Sequence, residues 1–169
     1  MAESDRVKSM RYGCKILPVL VGSFLWVGAA EKPPVLLRVH LQAPEGARGQ
    51  ASVPVTLFQP NETIAIQSLP EVTEREIRKI STRVDGTVLV EFNDFGKTKL
   101  EVATSTGRGF ILVVLVNGRV VYAPRIDTVI TNGSLLLPPG SILPAEIEQV
   151  NGEVKQGQEQ RLKDLGGGK

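Results

Sequence analysis

Cysteine and histidine are all but missing from this 169-residue chain, which holds one of each, Cys14 and His40. One imidazole with no cysteine nearby cannot supply the three or four ligands of an ordinary zinc site. His40, set among apolar neighbours, therefore reads as a structural histidine, and no metal or other cofactor is expected. No disulfide can close within the chain, so stability must come from packing. A Gly-x-Ser-x-Gly elbow is absent, and a single histidine could serve only one Ser-His or Thr-His pair. Gly107-Arg108-Gly109 lacks the following Lys-Ser/Thr with which a phosphate loop holds phosphate and metal, and reads as a helix stop. Internal repeats are absent as well.

An excess of one charge is also lacking. The chain carries 20 Lys+Arg and 18 Asp+Glu, of which four basic and two acidic residues fall in the first 30, so the remainder is balanced. No basic stripe of the kind that tracks nucleic acid is left, and nucleic acid is not an expected partner. Long hydrophobic runs are limited to Ile16–Ala30, preceded by Arg6, Lys8, Arg11 and Lys15 and closed by Val27-Gly28-Ala29-Ala30. A positive start, a short apolar core and small exit residues describe a secretory signal peptide cleaved after Ala29 or Ala30. Retention as an N-terminal anchor is the alternative. The run is short of the roughly 20 residues that span a bilayer, and Pro18 hampers a long helix. Membrane contact would then be confined to residues 16–30. Cys14 precedes the apolar core, which argues against lipoprotein acylation.

What is present points to an α+β domain over residues 31–150, with a mixed or antiparallel sheet and two to three helices packed on one face. Phe110 to Val116 is unbroken apolar and rich in β-branched residues. Asn117-Gly118 tolerates positive φ, and Val120 to Ala123 resumes an extended pattern, so a tight hairpin with a buried first strand is expected. Val53–Phe58 and Thr63–Gln67, separated by Gln59-Pro60-Asn61-Glu62, form a second antiparallel pair, and Val35–Leu41 and Thr87–Phe92 read as further strands. Ala43–Gln50 reads as a loop. Thr73-Glu74-Arg75-Glu76 is a capping box, and Ile77, Ile80 and Val84 continue an apolar stripe, which predicts a helix starting near Thr73. A second helix is expected from Asp94 to Gly107-Arg108-Gly109, with Gly96 as a weak point inside it. A short third one follows Pro144 through Val150. From Asn151 to Lys169 the chain turns polar and glycine-rich, and a flexible tail is expected.

The series Gly96, Lys99, Leu100, Thr104, Gly109 and Leu112, then Asn117-Gly118, then Val120, Ala123, Pro124 and Ile126, then Ile130 and Gly133, resembles the head subdomain of the first periplasmic domain of SecD. SecD is the membrane subunit of the bacterial protein-export machinery. The resemblance spans roughly Thr63 to Val150. Asn117-Gly118 stands where the family has Asp-Gly, and Glu76-Ile77 stands where it has Asp-Ile. It implies the head's α+β fold without the transmembrane helices that couple a proton gradient to translocation. A pump needs ionisable groups within a helical bundle, which one apolar segment cannot build.

The expectation is an exported, non-enzymatic module detached from the translocase, in the periplasm or at the outer face of a bacterial cytoplasmic membrane. Unfolded secretory polypeptides or export-machinery proteins would be its partners. Arg119, Tyr122 and Arg125 give the hairpin a composition enriched in protein interfaces and form the candidate interaction surface, with solvated strand decoration as the plainer alternative. Two other classes remain open. One is an envelope hydrolase using Glu74, Glu76, Asp94, Glu146 or Glu148, although acids clustered at helix starts are explained by favourable interaction with helix N-termini. The other is a purely structural envelope protein. Asn61-Glu62-Thr63 and Asn132-Gly133-Ser134 read as turns.

Overall fold

The computed structural model describes residues 33–44, 46, 52–58 and 61–166. The expected signal peptide or anchor, with Cys14, lies outside them. In chain order the elements are β1 (Leu37–Leu41), β2 (Ser52–Phe58), β3 (Asn61–Gln67), β4 (Val72–Thr73), a 3-10 turn (Glu74–Glu76), β5 (Ile77–Thr82), β6 (Val88–Phe92), α1 (Asp94–Thr106), β7 (Leu112–Val116), β8 (Arg119–Tyr122), β9 (Ser134–Leu137) and α2 (Pro144–Gly166). All strand pairs are antiparallel, in three sheets ordered β4-β1-β7-β8, β2-β3 and β5-β6-β9. The expected α+β class is the observed one.

A strand that is apolar at every position must be covered on both faces, and β7 is. Leu112, Val114 and Val116 face the main core with Leu37, Val39 and Leu41 of β1, Ile80 of β5, Val88 and Val90 of β6, and Leu100 and Ala103 of α1. Ile111, Val113 and Leu115 face a second core, closed by Leu57 of β2 and Ile66 of β3. The β2–β3 hairpin thus folds back over the outer face of the four-stranded sheet. Burying each such Val or Leu contributes about 1.5–3 kcal/mol, which is why β7 is the least dispensable strand. Both helices add side chains to the main core, on the other face of that sheet.

The β7–β8 turn needs positive φ at both central residues, and Asn117 (φ 49°) and Gly118 (φ 78°) supply it. A helix over Thr73–Val84 is not what forms. The capping box exists, with the Glu76 carboxylate accepting from the Thr73 backbone N–H and hydroxyl at 2.7 Å each, but it closes a single 3-10 turn. The chain then runs extended as β5. Ile77 pairs with Phe92 and Lys79 with Glu91, so the extra residue, Arg78, makes a bulge that turns Ile77 and Ile80 to the same side. Their three-residue spacing imitates a helical stripe, and Val84, its supposed continuation, is fully exposed at a turn.

The helix after Pro144 starts where expected but continues through the polar stretch to Gly166. Ile147, Val150 and Val154 pack on the main core. Asn151 accepts from the Ile80 N–H at 2.9 Å and donates to the Ile80 carbonyl at 2.8 Å, pinning the helix to the outer edge of β5. Beyond that anchor, good helix formers and a Gln160–Asp164 hydrogen bond carry the helix on. Two strands, β4 and β9, have no counterpart in the sequence expectations.

Candidate functional site

Along β1 the side chains alternate. Leu37, Val39 and Leu41 are buried inward, and Leu36, Arg38 and His40 fall on the outer face, with Arg38 opposite Leu115 and His40 opposite Val113. The hairpin covers part of this face. It is tied to β1 by the Ala43 N–H donating to the Ala65 carbonyl at 2.8 Å and by a Gln42–Ile66 bridge. The uncovered part is a groove of about 1040 Å³ lined by Leu36, Arg38, His40, Leu115 and Val120 from the sheet and by Val53, Val55 and Phe58 from β2, among others. Most of its surface is apolar. Phe58 at its rim is 78% exposed. The strands flanking it, β2 and β8, each end a sheet, so each offers an edge with no strand partner among the described residues.

His40 is buried at the end of the groove, its Nδ1 at 2.8 Å from the Gln67 carbonyl. A carbonyl only accepts, so Nδ1 carries the proton and Nε2 the lone pair. Burial pushes the imidazole below its ordinary value and Arg38 adds to this, while the Gln67 hydrogen bond and Glu71 oppose it. Burial therefore favours the uncharged ring. Arg119, on the groove wall, is held by the Glu146 carboxylate at 3.0 and 3.2 Å.

Arg119, Tyr122 and Arg125 do not form one surface. Tyr122 and Arg125 line a different, smaller cleft of about 470 Å³, together with Pro124, Asp127 and Ser134. Arg125 Nη1 donates to the Gly109 carbonyl. The bulge between the Val114–Tyr122 and Leu115–Val120 pairs turns Tyr122 toward the main core and Val120 toward the second one. The residues that make the groove, Leu36 and Arg38 above all, were not singled out from sequence. The available signal was that β7 is apolar at every position, which requires a cover on each face.

The SecD-like series resolves into structural roles. Gly96 packs against the 3-10 turn, where a Cβ on it would lie 2.7 Å from the Glu76 Cβ. Lys99 Nζ lies 3.1 Å from Glu76 Oε1 and 4.7 Å from the Phe95 ring centroid. Leu100 is fully buried. Thr104, equally buried, donates to the Leu100 carbonyl at 2.7 Å and accepts from the Ile130 N–H at 3.0 Å. Gly109 holds φ at 83°, and its N–H donates to the carbonyl of the buried Ile126. The Pro124 carbonyl accepts from the Leu112 N–H, extending the β7–β8 ladder past Ala123. Gly133 (φ 68°) has its carbonyl on the Phe92 N–H and its Cα against the Lys97 stem.

Of the acids considered for catalysis, Glu76 and Glu146 are engaged in structure, Asp94 and Glu148 are exposed, and Glu74 is half-buried with its Oε2 buried and without a hydrogen-bond partner among the described residues. Glu76 holds Thr73 and Lys99. Glu146 accepts from the Leu143 N–H at 2.9 Å, from Asn117 Nδ2 at 2.8 Å and from Arg119. Burial pushes both carboxyls up, but their hydrogen bonds and cations more than offset it, and both sit below the usual value. Among the described residues no three His, Cys, Asp or Glu side chains gather as a metal site, and no helix is long and apolar enough to cross a membrane.

No family model and no curated protein matches the chain. Solved structures do. SecDF, described as a membrane component that enhances protein export, aligns at 18% identity with a TM-score of 0.50, covering 70% of this chain and 60% of that one. SecDF in a super-membrane-facing form aligns at 21% identity with a TM-score of 0.52, covering 69% of this chain and 18% of that one. The chain therefore shares a SecDF fold over about 70% of its length while spanning 60% or less of those proteins. The SecD likeness read from Gly96 to Gly133 is borne out as a likeness of fold.

Proposed function

We propose that this chain is an exported, non-enzymatic module that binds polypeptides and serves protein export, seating an extended or unfolded segment in the groove beneath the β2–β3 hairpin. One observation carries the reading. An apolar floor of Leu36, Leu115 and Val120 lies between two strand edges, β2 and β8, that pair with no further strand among the described residues. Apolar side chains of a client would meet the floor, and its backbone groups could pair with either edge, the usual economy of strand addition. The shared fold with a protein described as enhancing export supports the setting. Structural partners for Glu76 and Glu146 support a binding role over carboxylate chemistry.

The test is titration with a labelled, denatured secretory protein. Weak, saturable binding that persists at high salt is expected, since burial of apolar surface is little screened. V53D together with F58D, both at exposed positions, should abolish it without lowering the melting temperature. No binding by the unaltered chain would end the reading.

A further inference from the structure

The groove has a charge pattern of its own. Among the described residues its ionisable lining is Arg38, His40 and Arg119, with no aspartate or glutamate. Glu146 pairs with Arg119 at 3.0 Å, and burial disfavours a charge on His40. That leaves Arg38 as the uncompensated charge among the described lining residues. It stands on the outer face of a central strand, between Thr73 of β4 and Leu115 of β7, and is exposed. Among the described residues it has no ion pair and no hydrogen bond from its guanidinium. Glu71, whose charge reaches His40, does not pair with it.

We propose that the groove selects extended polypeptide segments in which apolar side chains flank a carboxylate, and that this carboxylate pairs with Arg38. The proposal rests on the polypeptide-binding reading and adds the client's chemistry to it. A guanidinium with apolar walls on either side gains more from a carboxylate than one on open surface, because fewer waters compete, and its planar fork fits a carboxylate with two hydrogen bonds. A lysine or arginine at the same place in a client would meet like charge with no acid to relieve it. An anionic lipid could satisfy Arg38 and the apolar floor, but it would leave the β2 and β8 edges without partners. An extended chain uses all three features. The cleft beside Tyr122 lacks this polarity, since Asp127 lines it and Arg125 is occupied by the Gly109 carbonyl.

The experiment uses the full-length chain and three coumarin-labelled nonapeptides of identical apolar sequence, with Asp, Asn or Lys at the centre. Fluorescence anisotropy should show the Asp peptide binding roughly threefold to tenfold more tightly than the Asn peptide, as for a partly exposed ion pair, with Lys the weakest. R38A should erase the differences and R38E should reverse their order. R38Q replaces R38A if the latter lowers the melting temperature. Equal binding of all three peptides, or a preference for Asp that survives loss of Arg38, overturns the charge selection and leaves polypeptide binding standing. Binding of none overturns both. Flotation with phosphatidylglycerol vesicles that depends on Arg38, with no charge preference among the peptides, assigns the arginine to a lipid anion and also overturns the proposal.

Discussion

Gly96, in the first turn of α1, lies so close to Glu76 that a methyl group on the glycine would come within 2.7 Å of the Glu76 Cβ and 3.0 Å of the Phe92 Cβ. Neither obstacle is the end of a flexible side chain. A glycine that looks like a defect in a helix is therefore the condition for docking α1 on the 3-10 turn. G96A, which would gain about 1 kcal/mol in an isolated helix, is expected to destabilise this protein by about 1–3 kcal/mol. Urea denaturation should show a lower midpoint with an unchanged slope.

Thr104 joins α1 to the loop before β9 through one hydroxyl. T104V keeps the shape and removes the hydroxyl's hydrogen bonds, leaving the Ile130 N–H without its acceptor. A loss of about 1–3 kcal/mol is expected. Amide exchange at Ile130 should quicken more than exchange at Leu135, and equal quickening would mean that the hydroxyl does not anchor the loop.

Asn117 donates to Glu146 and accepts from the Leu36 N–H at 3.0 Å. N117D would keep the acceptor and replace the donor with a second carboxylate facing the first. At neutral pH a cost of about 1–2 kcal/mol is expected, from the lost bond and the like charges. The cost should shrink as Glu146 is protonated in acid, and E146Q in the N117D background should recover most of it, because a glutamine amide can donate. A double-mutant cycle by thermal unfolding reads the coupling.

Acid should weaken the fold through Glu76 and Glu146. Their carboxyls titrate below the ordinary 4.5 in the folded chain. A lowered folded value stabilises above the unfolded value, so this stabilisation is complete above pH 4.5 and is lost as pH falls through the lowered values. Stability measured from pH 6 down to pH 3 should fall more steeply for the unaltered chain than for the E76Q/E146Q double variant, which starts less stable. Parallel curves would show that other groups govern the acid limb.

Much of the fold is legible because periodicity and turn chemistry agree. At β7, the Asn117-Gly118 turn, the β2–β3 pair and α1 the same residues satisfy local preference and burial together. The failures are physical as well. β9 buries Leu135 and Leu137 and exposes Leu136, and three identical residues conceal that alternation. β5 carries a helix-like spacing in sequence because a bulge at Arg78 shifts its period. The polar stretch after Asn151 is helical because an amide docks it, a contact with a strand some seventy residues earlier. The groove was hidden for a related reason. Leu36 and Arg38 acquire meaning once the hairpin leaves their part of the sheet face uncovered, and no local pattern records where a hairpin comes to rest.

Asn151 has a further consequence. By taking both main-chain groups of Ile80, its amide occupies the place a neighbouring strand would fill at that point of the β5 edge. An unpaired strand edge is a template for aggregation, and here one helix side chain occupies the edge of β5 at Ile80.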